Sequence, residues 1–209
     1  MDLLKRLTEE KIIAIVRGIP EEKADAAASA LYEGGIRLIE VTMNTPGALD
    51  FIRRWRKLFE GSMLVGAGTV LDVEMAKAAV AAGAEYLVTP NVDEAVIRYG
   101  AANCAGVFPG AMTPTEIVQA WKHGAAAVKL FPTASLGAKY IQELQGPLSH
   151  IPLIATGGVD IGNMEQYAKA GAKGFGLGSS LLNKQWIQEG DFERLKSNAA
   201  EYAAAARRL

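Results

Sequence analysis

Cysteine, histidine and net charge are all scarce in this chain. Its 209 residues hold one cysteine, Cys104, and two histidines. One cysteine excludes an intrachain disulfide and suits a reducing compartment. A structural zinc site would need more Cys and His than these. The formal charge is −1, so nothing electrostatic draws the chain to nucleic acid or to an anionic membrane. The apolar run IIAIV at 12–16 is far short of the ~20 residues that span a bilayer. The stretch MDLLKRLTEEKIIAIVRG lacks a signal-peptide layout, because acids interrupt it and no small-residue cleavage site follows the run. The expectation is a soluble cytoplasmic protein.

Hydrophobic residues, by contrast, make up 50% of the chain, enough for a sizeable core, and the length suits one large domain. Short β-rich runs alternate with helical stretches. Strands are expected at 12–17, 37–42, 63–69, 85–89, 106–109, 126–131, 152–156 and 174–178. Helices are expected at 21–33, 72–82, 114–123 and 161–170, among others, with the tail FERLKSNAAEYAAAARRL as the last. Thr113, Pro114 and Glu116 form a capping box with a first-turn proline. Asp72 reads as another N-cap. The stretches EGGI, AAGAE, KHGAA and KAGAK each place a glycine just after a helix and before a strand, as a left-handed C-terminal residue requires. Continuous strand hydrophobicity means that helices cover the sheet. The pattern predicts an α/β single-domain (β/α)8 TIM barrel over 1–209, with an extra N-terminal helix over 1–10. An open doubly wound sheet is the alternative. Such barrels usually take about 250 residues, so this one is expected to be small, with short loops.

Barrel chemistry sits at the C-terminal ends of the strands, and the polar residues of these strands collect there. Arg17 ends the first and Glu40 lies near the end of the second. Gly66, Gly68 and Thr69 close the third, Thr89 and Pro90 the fourth, Pro109 and Gly110 the fifth. Lys129 and Phe131 close the sixth, Thr156, Gly157 and Gly158 the seventh, Gly178 and Ser179 the eighth. Random placement would scatter them.

Lys129 stands in the apolar run AAVKLF. Burying an unpaired ammonium costs several kcal/mol, so its position needs a reason. A buried ion pair with Glu40 is the bland one, although such pairs seldom stabilise more than apolar residues would. Both residues lie on even-numbered strands, which can share one interior layer. The chemical reason is a Schiff-base amine. A lysine attacks a carbonyl only when unprotonated, and apolar neighbours favour that form. Glu40 in such a setting suits proton shuttling. The stretches TGGV (156–159) and GLGSS (176–180) let backbone N–H groups approach an anion, so Gly157, Gly158, Gly178 and Ser179 are the candidate phosphate site. Thr69 in GAGTV offers a hydroxyl, and Arg17 suits a carboxylate or phosphate. His123 and His150 read as surface residues and Cys104 as a small core residue. Trp55, Trp121 and Trp186 read as packing or subunit contacts.

The motifs IEVTMNTPGA, VGAGTV, LVTPN, VFPGAMTPTE, VKLFPTASLG, ATGGV and LGSSLL follow one another from end to end. In that order they resemble the 2-keto-3-deoxy-6-phosphogluconate and 2-keto-4-hydroxyglutarate aldolases. The resemblance implies a cytoplasmic, trimeric class I aldolase of sugar-acid breakdown that uses no metal and no cofactor. It implies small-molecule partners: a phosphorylated keto-deoxy sugar acid and pyruvate. Carried over by position, Lys129 forms the imine and Glu40 moves protons through water. Thr69, Pro90 and Phe131 shape the pyruvate pocket, and the four residues of the two glycine turns hold phosphate. The chain departs from several members at Asn44, where they carry an arginine that binds the substrate carboxylate. Arg17 is the candidate replacement, as in related galactonate-type enzymes, so gluconate and galactonate stereochemistry both stay open. Another phosphate-binding barrel enzyme using Lys129 as an acid, and a non-catalytic phospho-ligand sensor, are the competing functions.

Overall fold

A computed structural model describes residues 2–209. Its strands are β1 (Ile12–Val16), β2 (Leu38–Thr42), β3 (Leu64–Gly68), β4 (Leu87–Val88), β5 (Val107–Phe108), β6 (Gly110–Ala111), β7 (Val128–Leu130), β8 (Leu153–Thr156) and β9 (Gly174–Leu177). Every paired ladder is parallel, and the sheet runs β5-β4-β3-β2-β1-β9-β8-β7-β6. The expected fifth strand, 106–109, is therefore corrected to two short pieces on either side of Pro109, which has no N–H to give the ladder. The sheet still closes there. The Val107 and Pro109 carbonyls accept from the N–H groups of Ala126 (3.0 Å) and Lys129 (2.9 Å). This is the expected barrel, and the open-sheet alternative falls.

The helices are α1 (Leu3–Glu10), α2 (Glu21–Glu33), α3 (Ala48–Leu58), α4 (Val73–Ala81), α5 (Glu94–Asn103), α6 (Pro114–Lys122), α7 (Thr133–Leu148), α8 (Met164–Lys169), α9 (Lys184–Glu189) and α10 (Phe192–Ala206). The local signals behave as their chemistry demands. Asp72 accepts from the Met75 N–H at 2.7 Å, and the Thr113–Glu116 capping box is complete. Gly35, Gly83, Gly124 and Gly171, from the four small-residue stretches, all have positive φ. The helix expected at 161–170 starts later, at Met164. The Asp160 carboxylate holds the Gly162 and Asn163 N–H groups at 2.8 and 3.1 Å, which favours a turn there.

Two cores result. The larger lies between the barrel and the outer helices. The smaller fills the barrel interior, where Leu3 and Leu7 of α1 pack with Ile13, Leu38, Leu64, Tyr86, Val88, Phe108, Ala127 and Ile154. A Cβ on Gly174 would stand 2.6 Å from the Leu7 side chain, so that strand must lack a side chain for α1 to dock. Helix α1 thus closes the N-terminal end of the barrel, and the C-terminal end stays open. Among the described residues, no helix is long and apolar enough to cross a membrane.

Some side-chain expectations need adjustment. His150 is exposed, but His123 is half-buried beside Glu94, its Nδ1 3.5 Å from Oε1. Cys104 is also half-buried, ending α5 with its thiol donating to the Gly100 carbonyl at 3.1 Å. Trp55 is fully buried and donates from its ring nitrogen to Asp25 at 2.8 Å.

Candidate active site

Lys129 and Glu40 both lie inside the open end of the barrel, 7% and 1% exposed. They border one small cavity together with Ile13, Ile15, Val88 and Thr156. Among the described residues, no nitrogen–oxygen contact within 4.0 Å joins the two. They are not the tight ion pair of the bland reading. Gly68 makes the room: a Cβ there would fall 2.6 Å from a Glu40 carboxylate oxygen. The Lys129 Nζ lies 5.1 Å from the Phe131 ring centroid, within cation–π range.

Burial sets the protonation of this pair. It pulls the Lys129 pKa down; the nearby Arg17 charge adds to that and Glu40 opposes it. Burial pushes the Glu40 pKa up, with Lys129 and Arg17 opposing. Desolvation wins for both, so each group moves toward its neutral form. Both shifts run in the direction that an imine-forming amine and a proton-carrying carboxyl require.

A cleft of about 620 Å³ opens above them and is lined by Arg17, Lys129, Phe131, Gly157, Gly158, Gly178 and Ser179. Among the described residues, none of the N–H groups of Gly157, Gly158, Gly178 and Ser179 donates to another residue. Gly157 and Gly158 take φ of 89° and 76°, and all four residues line the cleft. Such a set of N–H groups suits an oxyanion.

The remaining candidates stand apart. Thr69 does not line the cleft, but it touches Arg17: the guanidinium donates to its hydroxyl at 3.5 Å. Pro90 is half-buried and Asn44 is exposed in the turn after β2, both outside the cleft lining. Two residues that the sequence reading left without a role do line the cleft. Lys184 opens α9. Thr156, 4% exposed, borders both spaces, and its hydroxyl has no partner among the described residues. Its place at a strand end was visible in the sequence; its unpaired hydroxyl was not.

The family model described as "Aldolase: KDPG and KHG aldolase" matches residues 3–198. The chain belongs to the KDPG and KHG aldolase family. A probable 2-dehydro-3-deoxy-6-phosphogalactonate aldolase of Rhizobium meliloti is 37% identical to this aldolase over 94% of the chain and 93% of its own length. The 2-dehydro-3-deoxy-phosphogluconate aldolase of Treponema pallidum is 33% identical, with 92% of each covered. Among solved structures, a cage designed by fusing symmetric oligomeric domains superposes with a TM-score of 0.89 at 36% identity, covering 95% of this chain and 72% of that one. The KDPG aldolase of Legionella pneumophila, solved with pyruvate as a covalent carbinolamine, gives 0.86 at 25% identity, covering 93% and 94%. A carbinolamine is the addition product of an amine and a ketone. This aldolase is a carbon–carbon lyase of the Schiff-base kind, and the sensor and acid-catalyst alternatives fall with that assignment.

Proposed function

We propose that this aldolase cleaves 2-keto-3-deoxy-6-phosphogluconate reversibly to pyruvate and glyceraldehyde 3-phosphate, with Lys129 as the nucleophile. The observation that carries the reading is a buried lysine and a buried, separate carboxyl, each shifted toward its neutral form by desolvation, beneath a cleft lined by two glycine turns. The Lys129 amine adds to the C2 carbonyl, and Glu40 supplies the proton with which the carbinolamine loses water. In the protonated imine, Glu40 takes the C4 hydroxyl proton through a bridging water. The C3–C4 bond then breaks and its electron pair enters the imine as an enamine, releasing the aldehyde. Protonation at C3 and hydrolysis return pyruvate and the free amine. Arg17 holds the carboxylate beside C2, Phe131 walls the pyruvate end, and the free N–H groups of Gly157, Gly158, Gly178 and Ser179, with the Ser179 hydroxyl, hold the remote phosphate. Phosphate binding so far from the breaking bond contributes orientation. Thr69 supports Arg17.

The galactonate-derived epimer is the second reading. The 37% identity to a probable phosphogalactonate aldolase favours it, as does Arg17 lining the cleft while Asn44 lies outside it. Cleavage of unphosphorylated 4-hydroxy-2-oxoglutarate to pyruvate and glyoxylate belongs to the same chemistry. Comparing kcat/KM for the three substrates tests these readings. A clear preference for the gluconate epimer supports the first, and no pyruvate from any of them overturns all. The cytoplasmic location and the homotrimer rest on family likeness, the latter also on the symmetric assembly of the cage relative. Light scattering that finds a monomer would remove the trimer.

A further inference from the structure

We propose that Thr45 is a positioning residue: its buried hydroxyl pins the strand end that carries Arg17 and so places the guanidinium for the keto-acid carboxylate. The inference rests on the carboxylate reading of Arg17 above.

Arg17 is exposed, and its one side-chain hydrogen bond among the described residues is the long contact to Thr69. A free arginine carries much rotamer entropy, so something must hold the chain from which it springs. The next residue, Gly18, has φ of 61°, which turns the chain sharply just after its N–H. That N–H donates to the Thr45 hydroxyl at 3.0 Å.

Thr45 is itself fixed. It is 2% exposed, its hydroxyl shares a 2.9 Å hydrogen bond with that of Thr42, and its N–H donates to the Thr42 carbonyl at 2.8 Å. Its carbonyl accepts from the Ala48 N–H at 3.1 Å, where α3 begins. Thr42 ends the strand that carries Glu40. Ile15 pairs with Glu40 and Val16 with Val41, so continuing the register sets Arg17 level with Thr42, one layer above Ile15 and Glu40. The Thr42–Thr45–Gly18 chain therefore locks the arginine strand to the carboxyl strand at the height where substrate enters. Thr45 does not line the cleft and touches no substrate. The exposed turn holding Asn44 is anchored by the same residue, which ties the absent arginine at that position to its replacement on the neighbouring strand.

The test is a double-mutant cycle. Thr45→Val keeps the shape and removes the hydroxyl, and the lost hydrogen bonds should raise KM for the keto acid about tenfold with kcat little changed. Thr45→Ser should restore it. In an Arg17→Ala background, Thr45→Val should add nothing further. Thr45→Ala gives the same reading should the valine variant fail to fold. Additive losses, or no rescue by serine, would overturn the positioning role while leaving Arg17 as the carboxylate ligand. An Arg17→Ala enzyme with unchanged KM would overturn the carboxylate reading itself, and Thr45 with it.

Discussion

Adding one methyl group at Gly68 should slow this enzyme without unfolding it. Gly68 ends β3 beside the Glu40 carboxyl, and an ideal Cβ there would sit 2.6 Å from Oε1, 2.8 Å from Cδ and 3.2 Å from Oε2. The glycine does not have a left-handed φ, so alanine meets no backbone strain and the whole conflict falls on the carboxyl group. Restoring an ordinary contact of 3.4 Å displaces the carboxyl by roughly 0.8 Å, and an error near 1 Å in a reacting group costs about 10² in rate. Glu40 is 1% exposed, so no solvent layer absorbs the shift. Overpacking of this size destabilises by about 1–3 kcal/mol, which a folded domain of 5–15 kcal/mol survives. Gly68→Ala should therefore show a kcat about 10² lower in a coupled pyruvate assay, with a native circular dichroism spectrum. Lys129 is untouched, so hydride trapping with pyruvate should persist at a reduced rate. Gly146→Ala, in α7 with open space around its Cβ, is the control and should match wild type. A folded Gly68→Ala enzyme at full kcat would mean that the carboxyl position does not matter, and the proton-shuttle argument would fail.

Glu40→Gln should lower kcat by roughly 10²–10⁴. It should also change how stability depends on pH. Burial raises the folded-state pKa of Glu40 above 4.5, so the folded protein holds that proton more tightly than the unfolded chain. The wild type loses stability as pH climbs from 4.5 toward the raised value, about 1.4 kcal/mol per unit of the rise. Melting temperatures of the glutamine variant should gain on wild type across that window; parallel curves would refute the desolvated carboxyl. Gly158→Ala would put a Cβ against that of Ala134 at a φ of 76°. It should raise KM for the phosphorylated substrate tenfold or more while pyruvate trapping is unaffected; an unchanged KM would move the phosphate elsewhere.

The barrel was legible because its punctuation is chemical. Gly35, Gly83, Gly124 and Gly171 mark helix ends through a backbone conformation that other residues resist, and Asp72 and Thr113 mark helix starts through hydrogen bonds. The late start of α8 was less legible, because the Asp160 carboxylate competes for N–H groups that apolar spacing would assign to a helix. The break at Pro109 depends on one missing donor and leaves the barrel closed. Within the site, Lys129 and Glu40 stood out as charges among strand residues. Thr45 and Thr156 did not, since a buried threonine looks like any β-former until its hydroxyl partners, or their absence, are known. Asn44 drew attention as a departure from a motif, yet the structure gives the neighbouring Thr45 the contacts.

Imine chemistry at Lys129 requires an amine that is unprotonated and reachable by a ketone. Incubation with pyruvate and sodium borohydride, followed by intact-mass and peptide mass spectrometry, tests it directly. One reduced pyruvyl adduct per chain is expected, mapped to Lys129 and absent from Lys129→Ala. An unmodified Lys129, or an adduct that persists in the alanine variant, would contradict it.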